Sequence, residues 1–338
     1  MTAWIRPIVT PGVEEGWPLA GQPHVRFARV ERIAEGRRGE DIAAVDLRRD
    51  TSARLTTLRP DLCGLALDRP RIMGILNVTP DSFSDGGLHH GFDQAVAKAM
   101  EMAIEADVLD IGGESTRPGA QDVPVEEEIR RTVPVISALR SAGITTPISI
   151  DTRKARVAEA ALDAGADIVN DVSALTYDPD LARVVAEREV PICLMHAKGT
   201  PETMQADPRY GDVLTEVLDS LAARVAFAQG QGIARERIVV DPGIGFGKTK
   251  AHNLELLRGL SALHDLGLPV LLGASRKRFI GTIGGSEEAL GRMPGSLAVA
   301  LWGAAQGAQI LRVHDVAETA QALRLWMAMA RGEGEALP

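Results

Sequence analysis

From residue 71 onward, short runs of β-branched and aliphatic residues alternate with longer segments whose apolar positions recur at helical spacing. The runs at 72–78, 108–112, 148–151, 168–171, 192–196, 238–241, 270–275 and 310–314 have the length and continuous apolar character of strands buried on both faces. Helical stretches follow them, for example 92–105, 125–141, 154–164 and 213–229. Gly143, Gly165 and Gly267 stand where helices end, and a left-handed C-cap there turns the chain into the next strand. Eight strand–helix repeats in one uninterrupted series predict a closed parallel (β/α)8 barrel of the TIM class, which leaves no sheet edge to protect.

Residues 1–68 fall outside this rhythm. They are rich in Pro, Gly and Arg and alternate only weakly around Val25, Phe27 and Val30. They are expected to form a small N-terminal extension that packs over one end of the barrel and carries no chemistry. The barrel is then assigned to 69–332, with a C-terminal tail at 333–338.

The 338 residues, 45% of them apolar, suffice for one large core. A formal net charge of -9 argues against nucleic acid and anionic membranes as partners, because neither attracts a net-negative protein at long range. The cysteines are Cys63 and Cys193, far apart, with Cys193 inside an apolar run where a buried free thiol is the ordinary state. This fits a reducing, cytoplasmic compartment. The start of the chain lacks a basic segment leading into an apolar one, and no stretch has the apolar length of a membrane span, so neither export nor anchoring is expected.

Candidate chemistry collects at strand ends. Asn77, Asp110, Asp151, Asn170, Asp171, His196, Asp241, Ser275, Arg312 and His314 all fall at or near the C-terminal end of a strand, the face on which barrel active sites are built. Any one of them alone reads equally well as a turn former or loop cap. Their convergence on one rim points to a site, whereas the helix-to-strand turns carry mainly Gly, Pro and small residues. Two loops overhang this rim: the polar 77–87 segment (NVTPDSFSDGG) and 112–119 (GGESTRPG), each of which alone is ordinary turn chemistry. A third segment, 242–249 (PGIGFGKT), comes within one residue of a nucleotide-binding P-loop. Pro242 replaces its first glycine and has no N–H to offer a phosphate, so close packing of the loop against a flat ligand is the better use of the glycines.

Taken together, the segments 72–87 and 110–119 resemble the two signature loops of the dihydropteroate synthase family. The similarity continues through 149–152 (SIDT), Asn170-Asp171, Met195-His196, 241–248 (DPGIGFGK), 275–277 (SRK) and 312–315 (RVHD), and spans about residues 69–332. Long motifs in the right order at many places are far more specific than any single pattern. Residues 1–68 have no counterpart in the shorter family members.

The resemblance implies an enzyme of folate biosynthesis that displaces diphosphate from 6-hydroxymethyl-7,8-dihydropterin diphosphate with the amine of 4-aminobenzoate. It implies a pterin pocket of Asp151, Asn170, Met195, Asp241, Phe246, Lys277 and Arg312. Diphosphate falls to Asn77, Thr116, Arg312 and His314, and Mg2+ to Asn77. For 4-aminobenzoate it implies Phe83, Thr116, Arg117, Pro118, Phe246 and Ser275, positions that should also admit sulfonamides. Asp151, Lys277 and Asn77 are the expected catalytic residues. A homodimer is implied too, although the apolar run at 297–302 reads equally well as a core helix. A methyltransferase of the pterin-binding barrel group would share the pterin pocket but needs no diphosphate site. A non-catalytic paralogue would show damage in the loops or at Lys277, where none is seen.

Overall fold

The computed structural model describes residues 3–34, 37–79, 87–115, 120, 122–199 and 203–332, with the side chains of 37 and 87–90 excepted. Eight parallel strands form the barrel: β5 (Arg71–Asn77), β6 (Val108–Gly112), β7 (Ile148–Asp151), β8 (Ile168–Asp171), β9 (Ile192–Met195), β10 (Ile238–Asp241), β11 (Leu271–Leu272) and β12 (Ile310–Val313). They pair in the order β10-β9-β8-β7-β6-β5-β12-β11, and a parallel bridge between Val240 and Val270 joins the two ends. The expected barrel is therefore present. Helices α2 (Gly87–Met102), α3 (Val125–Ser141), α4 (Ala155–Asp163), α5 (Leu181–Arg188), α6 (Val213–Gly230), α7 (Lys250–Arg258), α8 (Arg278–Gly284), α9 (Met293–Ala305) and α10 (Val316–Arg331) surround it. Gly143, Gly165 and Gly267 adopt φ of +80°, +109° and +71°, the left-handed turns their positions call for.

The strand expected over 270–275 keeps its ladder only at Leu271–Leu272. Gly273 then breaks it: a Cβ there would stand 3.4 Å from Asp241 Oδ2, so the missing side chain keeps space beside that carboxylate.

The strands' two-residue period builds the interior in layers. Met73, Val108, Ile168, Cys193, Val239, Leu271 and Ile310 form the lower inward layer. Two residues further along the same strands, the inward positions become Asp110, Asn170, Met195, Asp241 and Arg312, with Asp151 two residues after the buried Ser149. The site is thus the polar layer of an otherwise apolar bore.

The N-terminal extension is a four-stranded antiparallel sheet, β1 (Trp4–Pro11), β2 (Trp17–Leu19), β3 (Gln22–Ala34) and β4 (Arg37–Ala43), followed by α1 (Arg49–Thr56). It is more than a cover for one end. Leu62, Leu65 and Leu67 close the bottom of the bore against the lower layer, each fully buried leucine contributing about 2 kcal/mol. The sheet itself lies along the barrel's flank. The Trp4 indole donates to Asp219 of α6 (2.9 Å), Ser261 donates to the Pro7 carbonyl (2.7 Å), and Arg54 pairs with Asp265 (2.6 Å).

Acids also occur at the bottom of the barrel, contrary to the expected polar asymmetry. Asp107 accepts from the Ile72 N–H and from Arg69 and Arg71, while Asp167 accepts from the Ile148 N–H and from Arg140. These carboxylates satisfy strand-starting N–H groups that lack a ladder partner.

Candidate active site

One hydrogen-bonded register row carries Asn77, Gly112, Asp151 and Asn170 side by side at the tops of β5 to β8. A Cβ at Gly112 would come within 3.3 Å of the Asp151 Cβ, so glycine gives that side chain its room. At the floor, Arg312 donates through Nε to Asp110 (2.6 Å) and through Nη2 to Asp151 (2.6 Å), and the Asn170 amide leans on Asp110 at 3.3 Å. Burial works against the Arg312 charge, but Asp110 and then Asp151 outweigh it and hold the guanidinium more firmly protonated than usual. Asp151 is driven upward from the ordinary carboxylate range by burial, with Arg312 opposing and Asp110 adding to the rise.

Asp241, on the inward side of β10, accepts from the Gly243 N–H at 2.7 Å, and burial raises its pKa against the pull of Lys277. Lys277 donates to the Ile244 carbonyl and holds its ammonium 4.2 Å over the Phe246 ring, a cation–π contact. Burial lowers Lys277 to about 7, with Asp241 resisting. Arg312 and Lys277 thus face Asp110, Asp151 and Asp241, two cations against three carboxylates, a floor that carries one negative charge when all are ionised. Asp151 Oδ1 is buried and finds no hydrogen-bond partner among the described residues. An orphaned buried carboxylate oxygen costs about 1–3 kcal/mol.

Toward the mouth, Ser275 Oγ lies 3.0 Å from His314 Nδ1 and accepts from the His314 N–H at 3.2 Å, linking the ends of β11 and β12. Met195 is buried beside Asp241, its register partner on β10. Asn77 stands at the end of β5, half-buried. Phe83, Thr116, Arg117 and Pro118 lie outside the described residues.

Three sequence readings change. Asp171 points away from the bore and caps the next turn, accepting from the Ser173 N–H (2.7 Å) and the Leu175 N–H (2.6 Å), the bland role of a strand-end acid. Two of the 242–249 glycines pack against their own chain: a Cβ at Gly243 would sit 1.9 Å from the His196 carbonyl, and one at Gly247 2.3 Å from that of Lys198, while Gly245 faces the Lys277 side chain. Asp110, placed on the rim but given no role, proves to be the anchor of Arg312. Its inward position two residues after Val108 was the signal.

Comparison with known proteins agrees with this geometry. Residues 73–314 match the family model for pterin binding enzymes. The chain is 47% identical over 265 residues to the dihydropteroate synthase of Escherichia coli (strain K12), an overlap of 77% of this chain and 92% of that one. The chain belongs to the dihydropteroate synthase family. Membership makes it a transferase of folate biosynthesis on a TIM barrel. Xanthomonas albilineans dihydropteroate synthase with 4-aminobenzoic acid superposes with a TM-score of 0.75 at 51% identity, covering 80% of this chain and 97% of that one. The Xanthomonas albilineans enzyme in complex with 7,8-dihydropteroate gives 0.72 at 49%, covering 80% and 98%. The family model begins at residue 73, beyond the N-terminal sheet and α1.

Proposed function

We propose that the polar layer of the bore condenses 6-hydroxymethyl-7,8-dihydropterin diphosphate with 4-aminobenzoate to give 7,8-dihydropteroate and diphosphate, with the residues sharing the work as follows. Asp241, Asn170 and Asp151 accept the N–H groups along the pterin edge, and Lys277 donates to the ring carbonyl and N5. Phe246, Met195 and the plane of Arg312 flank the ring. Asn77, Thr116, Arg312 and His314 hold the diphosphate; Nη1 of Arg312, which is not among the atoms bound to Asp110 and Asp151, is the edge available for it. Phe83, Thr116, Arg117, Pro118, Phe246 and Ser275 enclose 4-aminobenzoate.

Asp151 Oδ1, without a partner among the described residues, is the observation that carries the mechanism. As the pterin C–O bond breaks, positive charge develops on the methylene and spreads into the ring. A floor in which three carboxylates face two cations, with Asp151 against the ring, stabilises that state more than the neutral ground state. The arylamine is neutral and attacks without a strong base, so orientation and charge stabilisation supply the rate.

Mg2+ fits this rim. Among the described residues no group of three or more His, Cys, Asp or Glu gathers into a cage. A magnesium ion that takes phosphate oxygens and water needs only one or two protein oxygens, and the Asn77 side chain at the end of β5 would supply one. When bound, the ion supplies charge stabilisation to the leaving diphosphate.

We further propose that the chain is cytoplasmic and pairs with a second copy of itself. No helix among the described residues is long and apolar enough to cross a membrane. Residues 1–68 serve as a buttress that seals the bottom of the barrel.

Dihydropteroate formation by the purified chain with Mg2+ and both substrates tests the assignment. A sulfonamide is expected to compete with 4-aminobenzoate and not with the pterin. Competition with the pterin, or none at all, would remove the proposed arylamine site.

A further inference from the structure

Beside the pterin pocket lies a buried lysine that the reaction scheme leaves unused. Lys248 is 3% exposed. Its Nζ lies 2.8 Å from His196 Nδ1 and donates to the Phe246 carbonyl (3.0 Å) and the His196 carbonyl (3.3 Å). With the His196 ring in the tautomer that carries its proton on Nε2, these three acceptors match the three protons of an ammonium. Among the described residues no carboxylate makes an ion pair with Lys248, so the cost of burying its charge is offset by these bonds and, from further away, by Asp241. Burial, then the neighbouring Lys277, lowers it to about 7.

The contacts join two elements that wall the pocket. His196 directly follows Met195, and its N–H donates to the Asp241 carbonyl at 2.9 Å. Phe246 belongs to the 242–249 loop, where the two flanking carbonyls are tied down from outside: Gln205 donates to Gly245 (2.6 Å) and Tyr210 to Gly247 (2.9 Å). Lys248 holds the Phe246 carbonyl and both the ring and the carbonyl of His196 at one point. Nothing else described ties the Phe246 backbone to the end of β9.

We propose that Lys248 is a positioning residue for the pterin pocket, clamping the Phe246 loop to the Met195–His196 strand end so that ring face and ring edge are met at a fixed spacing. It touches no substrate. Its buried amine makes the clamp directional, since moving either wall strands a buried donor without an acceptor. Lys248 also sits where a P-loop lysine would, and the geometry gives it a protein-facing role in place of a phosphate-facing one.

The proposal rests on the pterin reading of the site, and the test separates the two. Calorimetric titration of the full chain with 6-hydroxymethylpterin, which carries the ring without the diphosphate, is run on the wild type, Lys248→Met and His196→Gln, with thermal midpoints measured in parallel. Lys248→Met keeps the aliphatic stem and removes all three donors, while His196→Gln retains a side-chain acceptor. The expected result is ring affinity about tenfold weaker in Lys248→Met and weakened less in His196→Gln, the scale of losing bonds to a charged group, with the fraction of binding-competent protein unchanged. A role confined to stability would lower the midpoint and leave the affinity of the folded fraction at the wild-type value, which overturns the proposal. If Lys248→Met does not fold, unchanged affinity in His196→Gln overturns it equally. Absence of binding by the wild type would instead sink the pterin reading.

Discussion

Replacing Asp151 by asparagine separates catalysis from stability, because the same burial acts on the two in opposite directions. In the folded protein Asp151 Oδ2 accepts from Arg312 at 2.6 Å, and Oδ1 has no partner among the described residues. Asparagine has nearly the same shape, and its amide oxygen still accepts from Arg312, which remains paired with Asp110. What disappears is the negative charge facing the reacting methylene. An interaction with a charged group is worth about 1.5–3 kcal/mol, so kcat for dihydropteroate formation should fall roughly ten- to 150-fold, at about 1.4 kcal/mol for each factor of ten. Stability should not follow. Burial holds the Asp151 carboxylate above its ordinary pKa, so at neutral pH the folded state bears a desolvation cost that a neutral amide removes. The thermal midpoint is expected to stay or rise. Saturating steady-state rates at neutral pH and a calorimetric scan measure both quantities on one preparation. A wild-type kcat, or a lowered midpoint alongside the lost rate, would refute the charge-stabilising role of Asp151.

Asp241→Asn should weaken pterin binding by about 1.5–3 kcal/mol and leave the fold intact, since the amide oxygen still accepts from the Gly243 N–H; unchanged affinity in a calorimetric titration would remove Asp241 from the pocket. Asn77→Ala should raise the Mg2+ concentration needed for half-maximal rate, and an unaltered magnesium titration would contradict its place as ligand. His24 is buried edge-on against Trp326 with neither ring nitrogen bonded among the described residues, and burial, then Arg331, lowers its pKa to about 4. The folded state therefore keeps it neutral while the unfolded chain takes up a proton below about 6.5, so its contribution to stability is lost as pH falls from 6.5 toward 4. Urea unfolding should show this histidine costing about 2 kcal/mol at pH 5, and His24→Leu should flatten the acid loss; parallel curves would show that His24 does not titrate on unfolding.

The barrel was legible because its strands repeat one simple physical demand. A strand buried on both faces must be apolar throughout its ladder and can turn polar only where it emerges, and β6, β7, β8 and β10 begin and end where that rule puts them. The same reading misjudged side. Asn170 and Asp171 look equivalent as neighbours at a strand end, yet the two-residue period sends one into the bore and the other to a turn. Asp110 was visible to that period and needed only to be counted from Val108. Lys248 was not visible, because its partners His196 and Phe246 come together only after the glycines of the loop have packed on the backbone of residues 196–198. The N-terminal sheet was illegible for another reason. Irregular pairing at Ile8/Val9 and between Glu31 and Ile33 disrupts the alternation that marks a strand, and its anchors, Asp219, Ser261 and Asp265, lie more than 200 residues away in the chain.

The most direct measurement is diphosphate release by the purified chain supplied with 6-hydroxymethyl-7,8-dihydropterin diphosphate and Mg2+, with and without 4-aminobenzoate, while dihydropteroate is followed in parallel. Release that depends on 4-aminobenzoate and matches dihydropteroate mole for mole is the expected result. Pterin binding without product under varied metal conditions would contradict it and bring forward a pterin-binding protein of another activity on the same barrel.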